Sequence, residues 1–84
     1  MNKCDVIIPV YNAVEATKEC IESVIENTTF NGNKLIIIND ASPDDKVKPM
    51  LKKFMKYDFV ELLENEENLG FVGTVNRGMK YSLN

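Results

Sequence analysis

Short apolar runs alternate with segments of helical apolar spacing along this 84-residue sequence, and this alternation constrains the fold more than any other feature. The run over residues 5–10 is β-branched and apolar, as expected of a parallel strand covered on both faces. Leu35–Ile38 and Phe59–Leu63 have the same character. Three strand–helix units joined by short links predict an α/β fold with a parallel sheet and right-handed crossovers.

The first predicted helix follows Asn12, whose side-chain oxygen is placed to cap the free N–H groups of the first turn. Glu15 stands three residues later, where a capping box has its acidic member. Cys4 and Cys20 are too few for a disulfide framework or a thiolate metal site, so we expect free thiols in the core. The apolar stripe of this helix consists of residues spaced by three and four: Val14, Thr17, Cys20, Ile21, Val24 and Ile25.

The second helix is complicated by Pro49, because a proline inside a helix costs about 3 kcal/mol. We therefore expect a loose turn over residues 43–47 and a regular helix from Lys48 or Pro49 to Lys56. Three methionines fall at core spacing and need no functional explanation: Met50, Met55 and Met79.

The third helix is expected to begin at Phe71 or Val72 and to end at about Ser82. Gly73 and Gly78 weaken this helix. Either it packs closely against another element, or its start serves a ligand.

The composition excludes several classes of function. No histidine is present, which rules out a Ser-His-Asp triad, a Cys-His dyad and His-ligated zinc. With 10 Lys and Arg against 13 Asp and Glu, the net charge is −3, which does not suit a nucleic-acid partner. No apolar run approaches the roughly 20 residues of a membrane span, and the N-terminal run lacks the flanks of a signal peptide. We therefore expect a cytoplasmic protein that binds no nucleic acid and has no membrane span.

Polar and aromatic residues follow the predicted strands, at the sheet edge where open parallel sheets bind ligands. Tyr11 follows the first strand and offers a ring suited to stacking on a base. Asp40 follows the second, where its carboxylate can accept from an N–H or a ribose hydroxyl. Taken singly, Tyr11 can simply cover the sheet end, Asp40 can begin a turn, and Asn68 can belong to a bend. Together, at the ends of one sheet, they indicate a binding site.

Two familiar phosphate-binding motifs do not fit. No G-x-G-x-x-G follows the first strand, so Rossmann-type dinucleotide binding lacks its phosphate turn. Residues 73–80 have the glycine spacing of a P-loop, but Met79 occupies the lysine position and the segment lies within a helix.

Three spaced motifs carry a family resemblance: Val6-Ile7-Ile8-Pro9-Val10-Tyr11-Asn12, Ile36-Ile37-Ile38-Asn39-Asp40-Ala41-Ser42-Pro43-Asp44, and residues 65–78, which read NEENLGFVGTVNRG. In this order the sequence resembles the start of a family-2 glycosyltransferase with the GT-A fold, of the kind that builds bacterial surface polysaccharides. The resemblance implies a three-layer βαβαβα half of a Rossmann-like nucleotide-binding domain. It also implies strand order 3-2-1, one partial domain over residues 1–84, and an end before the fourth strand.

The resemblance also implies a nucleoside-diphosphate sugar as donor and assigns the residues that recognise it. Pro9 and Tyr11 flank the base, Asp40 and Asn68 hydrogen-bond it, and the segment from Thr74 to Arg77 approaches the phosphates. Many members have aspartate where this chain has Asn39, and arginine where it has Val75. Arg77 only partly replaces that missing arginine. The predicted nucleotide-binding set is Pro9, Tyr11, Asn12, Asp40, Asn68, Gly70, Asn76 and Arg77.

The Asp-x-Asp metal motif and the catalytic base of the family have no counterpart in this sequence. We therefore predict no catalytic residue and no bound metal in this chain, although Mg or Mn is implied for the complete family enzyme. The alternative is a non-catalytic module that associates with itself or a partner through the open edge of its first strand. A signalling receiver domain is disfavoured, because the first strand ends in Pro9-Val10-Tyr11 rather than in an acidic cluster.

Overall fold

The computed structural model describes residues 5–83, which form three parallel strands alternating with helices. The first unit consists of β1 (Val6–Val10) and α1 (Val14–Asn27), and the second of β2 (Leu35–Asn39) and α2 (Val47–Lys52). A 3-10 turn, Lys53–Lys56, continues α2, and the third unit consists of β3 (Val60–Glu64) and α3 (Gly70–Leu83). Four of the six strand ends lie one residue from their predicted positions, and the other two agree with the prediction.

The sheet has the order β1-β2-β3, with both strand pairs parallel, and this confirms the predicted α/β fold and strand order. In register, Ile37 lies between Ile8 of β1 and Leu62 of β3. All residues of the central strand β2 are buried, as its unbroken apolar run predicts.

Alternate residues of the strands face opposite helical layers. Leu35 and Ile37 belong to the main core, where they pack with Ile21 of α1 and Leu51 of α2. On the other face, Ile38 and Ile7 contact the backbone of α3 at Gly78. The sheet is therefore the middle of three layers, and its carboxyl edge lies between the starts of the helices.

The predicted cap of α1 by Asn12 is wrong. The cap position falls on Ala13, which has a left-handed backbone (φ 52°) and makes no side-chain capping hydrogen bond. Asn12 is also left-handed (φ 60°), and its backbone N–H donates to Ser42 Oγ at 3.0 Å. Two successive left-handed residues carry the chain from β1 into α1, so the helix starts one residue too late for Asn12 to cap it.

α2 begins at Val47, one residue before the predicted range, so Pro49 is its third residue. At that position a backbone N–H has no partner within the helix, and the missing proton of proline costs little. The rest of the predicted helix, through Lys56, is wound as the 3-10 turn.

α3 begins at Gly70, whose φ of +78° suits a residue without a Cβ, one residue before the predicted start. A Cβ on Gly78 would lie 2.7 Å from Ile7 Cγ2 and 2.9 Å from Ile38 Cδ1. Close packing against the sheet therefore explains Gly78. None of the helices within residues 5–83 combines the length and apolar character that a membrane crossing requires.

The predicted core placement fails at three side chains. Cys20 is exposed, because neighbouring Ile21 takes the inward position of α1; Cys4 lies outside the described residues. Met55 and Met79 are 49% and 52% exposed, whereas Met50 is in the core as predicted. Met55 lies in the 3-10 turn, whose tighter winding departs from the helical spacing that the prediction assumed.

Candidate functional site

The carboxyl ends of the three strands are held side by side by hydrogen bonds that continue past the strands. The Asp40 N–H donates to the Val10 carbonyl at 2.8 Å, and the Asn65 N–H donates to the Asn39 carbonyl at 2.9 Å. Tyr11, Asp40 and Asn65, the residues that directly follow β1, β2 and β3, therefore lie along one edge.

The Asp40 carboxylate joins this edge to the start of α3. Its Oδ1 accepts from Asn65 Nδ2 at 2.8 Å and from the Leu69 N–H at 2.7 Å. Its Oδ2 accepts from the Gly70 N–H at 2.9 Å and from Asn68 Nδ2 at 3.2 Å. Each carboxylate oxygen thus accepts two hydrogen bonds, and a carboxylate offers about four acceptor positions in all. We call this arrangement the Asp40 clasp.

Asp40 is only 3% exposed, yet its surroundings favour the charged form. Burial raises the pKa of the carboxyl, while hydrogen bonds from Leu69, Asn65, Thr74 and Gly70 lower it. The net pKa lies below the ordinary value for aspartate. An ionised carboxylate at the N-terminal end of α3 also complements the dipole of that helix.

Pro9, Val10, Tyr11, Asp40 and Phe71 line a shallow cleft of about 240 Å³ at this edge. Tyr11 is 51% exposed and Phe71 is 72% exposed, so both rings are open to a planar ligand. Three residues predicted from the sequence, Pro9, Tyr11 and Asp40, are thus brought together, and Asn68 contacts Asp40 beside them.

Ser42 joins the loops that follow β1 and β2 by hydrogen bonds. Its Oγ accepts from the Asn12 N–H at 3.0 Å and donates to the Val10 carbonyl at 3.4 Å. Its own N–H donates to Asn39 Oδ1 at 3.0 Å, a contact that an aspartate at that position could make equally well. Asn12, Ala13 and Ala41 all have left-handed backbones, an arrangement that clusters at functional sites.

The amide oxygen of Asn12 is buried and has no hydrogen-bond partner within residues 5–83. An unpaired buried acceptor carries a desolvation cost, so this oxygen does not stabilise the fold. The prediction that Asn12 belongs to the nucleotide site therefore rests only on its place in the loop after β1.

Arg77 lies on a different cleft. Its Nη1 donates to the Glu64 carbonyl at 3.0 Å and to the side-chain oxygen of Asn65. These residues, with Leu69, Glu66 and Glu67, line a second opening of about 620 Å³. Arg77 therefore reaches the Asp40 clasp only through Asn65. The other predicted phosphate residue, Asn76, is exposed on α3.

Sequence reasoning missed two residues of this edge. Asn65 connects Arg77, Asp40 and Thr74, since its Nδ2 also lies 3.0 Å from Thr74 Oγ1. Its position directly after β3, equivalent to that of Asp40 after β2, is the signal that could have identified it. For Phe71 the available signal was an aromatic residue in the first turn of α3.

Within residues 5–83, no group of three or more acidic, histidine or cysteine side chains is placed to hold a metal ion.

A family model described as "Glycosyl transferase family 2" matches residues 5–84. The chain belongs to glycosyltransferase family 2. The match includes every residue of the cleft and of the Asp40 clasp. The family shows the chain to be related to transferase enzymes.

Several curated relatives of this family-2 chain are named glycosyltransferases or polymer-building enzymes. It is 39% identical over 79 residues to a protein named "Uncharacterized glycosyltransferase YibD" from Escherichia coli, covering 94% of the chain and 22% of the relative. It is 41% identical to a teichoic acid poly(glycerol phosphate) polymerase from Staphylococcus epidermidis, over 77% of the chain and 9% of the relative. It is 37% identical to the minor teichoic acid biosynthesis protein GgaB from Bacillus subtilis, over 92% of the chain and 9% of the relative. The chain thus spans about a fifth or less of the length of these relatives.

Proposed function

We propose that this family-2 chain is a partial GT-A domain that recognises the nucleoside-diphosphate part of a sugar donor. The complete enzyme would transfer that sugar to a glycan or lipid-linked acceptor. One observation carries the proposal: exposed Tyr11 shares a cleft with Pro9 and Asp40 at the carboxyl ends of β1 and β2. Open parallel sheets bind nucleotides at this edge. Relatives named for teichoic acid synthesis support a surface polymer as the product.

In this proposal Tyr11 stacks on the base, and Asp40 and Asn68 approach its polar edge. A base N–H can reach Asp40 only by sharing a carboxylate oxygen with donors that are already present. The hydrogen bond from Asn68 Nδ2 to Asp40 Oδ2 is the longest of those named, at 3.2 Å, and is the one most easily broken. Asn68 Nδ2 is then free to donate to a base carbonyl.

Asn76 and Arg77 are assigned to the diphosphate, and Asn12 and Gly70 to the loops that frame the nucleotide. Arg77 needs a side-chain rotation away from Asn65 to reach the cleft that contains Tyr11. Mg or Mn is proposed for the complete enzyme only, because the described residues offer no cluster to hold one. We accordingly expect no sugar transfer by this chain alone, and we propose a cytoplasmic location.

Titration of the isotope-labelled chain with UDP, TDP and GDP, followed by amide NMR shifts, tests this function. Binding at the cleft shifts Tyr11, Asp40 and Asn68 and leaves Lys34 and Glu61, near the opposite sheet edge, unmoved. Base stacking worth about 1–3 kcal/mol, together with contacts to the diphosphate, implies weak binding in the millimolar range. The absence of shifts at the three cleft residues up to several millimolar ligand would contradict the function.

A second candidate function is self-association through β1. Among the strands of residues 5–83, β1 pairs with β2 alone, so its other edge presents unpaired backbone groups. α3 packs against β1 and leaves Met79 and Tyr81 partly exposed. Pro9 lacks an N–H and limits such pairing. Sedimentation at rising concentration tests this candidate, and a monomer throughout would exclude it.

A further inference from the structure

We propose that Phe71 is a second stacking residue of the nucleotide site, and that it and Tyr11 hold the base in the cleft they share. Asp40 then acts as a positioning residue that fixes Phe71 through the start of α3. This inference rests on the proposed function and goes further, since it names how the base is held and how selective the site is.

The first argument is the exposure of the Phe71 ring. At 72% exposed, this ring gains little from burial, so packing does not explain a phenylalanine there. The neighbouring Val72 is similarly exposed, at 70%, but it does not line the cleft. Phe71 therefore faces the ligand side of α3, and Val72 provides a matched comparison.

The second argument is the geometry of the Asp40 clasp. The carboxylate holds the N–H groups of Leu69 and Gly70, the two residues immediately before Phe71, at 2.7 and 2.9 Å. These bonds fix the first turn of α3 relative to the end of β2. They thereby hold the backbone next to Phe71 in a position from which its side chain lines the same cleft as Tyr11.

The third argument concerns selectivity. Both Asp40 oxygens already accept two hydrogen bonds, so the base meets a carboxylate with no vacant acceptor position. Stacking between aromatic rings then supplies most of the base affinity. Because every base has a π-face, such a site tolerates different bases. We expect UDP and GDP to bind within about tenfold of one another.

The test combines two Phe71 variants with a Val72 control. The sequence contains no tryptophan, so Phe71→Trp introduces a unique fluorophore. UDP and GDP should quench its emission, whereas pyrophosphate and ribose 5-phosphate, which lack a base, should not. Phe71→Ala should weaken UDP and GDP binding by about tenfold in calorimetry, since each stacked base is worth roughly one decade or more. Val72→Ala should leave both affinities unchanged.

The outcomes separate this inference from the function on which it rests. If the unaltered chain binds no nucleotide, the proposed function fails and the inference fails with it. If the unaltered chain binds but Phe71→Ala binds equally well, only the inference is overturned. A change in sedimentation without a change in affinity would assign Phe71 to a protein interface instead. A preference for one base of more than about a hundredfold would overturn the stacking argument.

Discussion

The Asp40 carboxylate accepts a hydrogen bond from the Gly70 backbone N–H at 2.9 Å, which joins the end of β2 to the first turn of α3. The two residues are separated by 30 positions in the chain, so the bond closes a long-range contact. Because the same carboxylate also accepts from Asn65 after β3, one buried side chain connects two strand ends and a helix. The candidate nucleotide site is built around this connection.

Asp40→Asn should lower the free energy of unfolding by about 2–4 kcal/mol, because hydrogen bonds to a charged group are worth roughly 1.5–3 kcal/mol each and the amide places donors against donors. Urea unfolding followed by circular dichroism measures this loss. Asp45→Asn is the matched control, since Asp45 is exposed, and its effect should stay within about 0.5 kcal/mol. Equal stability of the two variants would show that the clasp is not a stabilising contact.

The lowered pKa of Asp40 predicts how stability depends on pH. Because the folded pKa lies below the reference value of 3.8, the unfolded chain takes up the proton first. The contribution is therefore present above pH 3.8 and is lost as the pH falls through the folded pKa. Glu61, whose pKa is lowered by the hydrogen bonds from Lys34 and Tyr81, acts in the same direction.

The measurement is unfolding at pH 7, 5 and 3 for the unaltered chain and for Asp40→Asn. The unaltered chain should lose stability steeply below pH 4, and the variant should lose less over the same interval. Parallel curves would mean that Asp40 has the same pKa in the folded and unfolded states.

The fold was predictable because its signals are local. The isoleucines of β2 and Ile21 of the α1 stripe show their burial in their spacing, and all of them are buried. The left-handed backbone at Asn12 was not predictable, because it accompanies a hydrogen bond to Ser42, which lies 30 residues away. Local sequence shows that Asn12 can cap a helix, but not that the chain path prevents it.

The candidate site was predictable in position but not in connectivity. Parallel strands bring Tyr11 and Asp40 to one edge in any fold of this class, so their proximity follows from the topology. Which donors saturate Asp40 depends on the path of residues 65–70, a loop whose sequence shows only that it is polar. Phe71 was missed for this reason, whereas the position of Asn65 directly after β3 was a usable signal.

Gly78→Ala should destabilise the fold by about 1–3 kcal/mol, although alanine is the better helix former by roughly 1 kcal/mol. The added Cβ would lie within 3 Å of Ile7 Cγ2 and Ile38 Cδ1, side chains held between the sheet and α3. Asn76→Ala is the control on the same helix. Its exposed position allows the gain in helix propensity without crowding, so it should be neutral or stabilising in thermal unfolding. If the Gly78→Ala variant were more stable than the unaltered chain, the side chains facing Gly78 would be able to move aside at no cost in free energy.

Asn65→Asp should be more destabilising at pH 7 than at pH 5. The substitution replaces the donor that lies 2.8 Å from Asp40 Oδ1 by a second carboxylate, and two such groups cannot both ionise without repulsion. Protonation of the pair relieves the repulsion and restores a hydrogen bond. Asn65→Ala loses the hydrogen bond but adds no charge, so its destabilisation should be the same at the two pH values. Identical pH behaviour of the two variants would refute the direct contact.

Tyr11→Phe and Tyr11→Ala distinguish the contribution of the Tyr11 ring to nucleotide binding from that of its hydroxyl. The ring lines the cleft and is half exposed, so stacking survives in Tyr11→Phe, and its affinity for UDP should equal that of the unaltered chain. Tyr11→Ala removes the ring and should weaken UDP binding by about tenfold in calorimetry. Because Tyr11 contributes little buried surface, unfolding experiments should find both variants folded. If Tyr11→Phe alone abolished binding, the hydroxyl rather than the ring would hold the nucleotide, and the stacking geometry proposed for this cleft would be wrong.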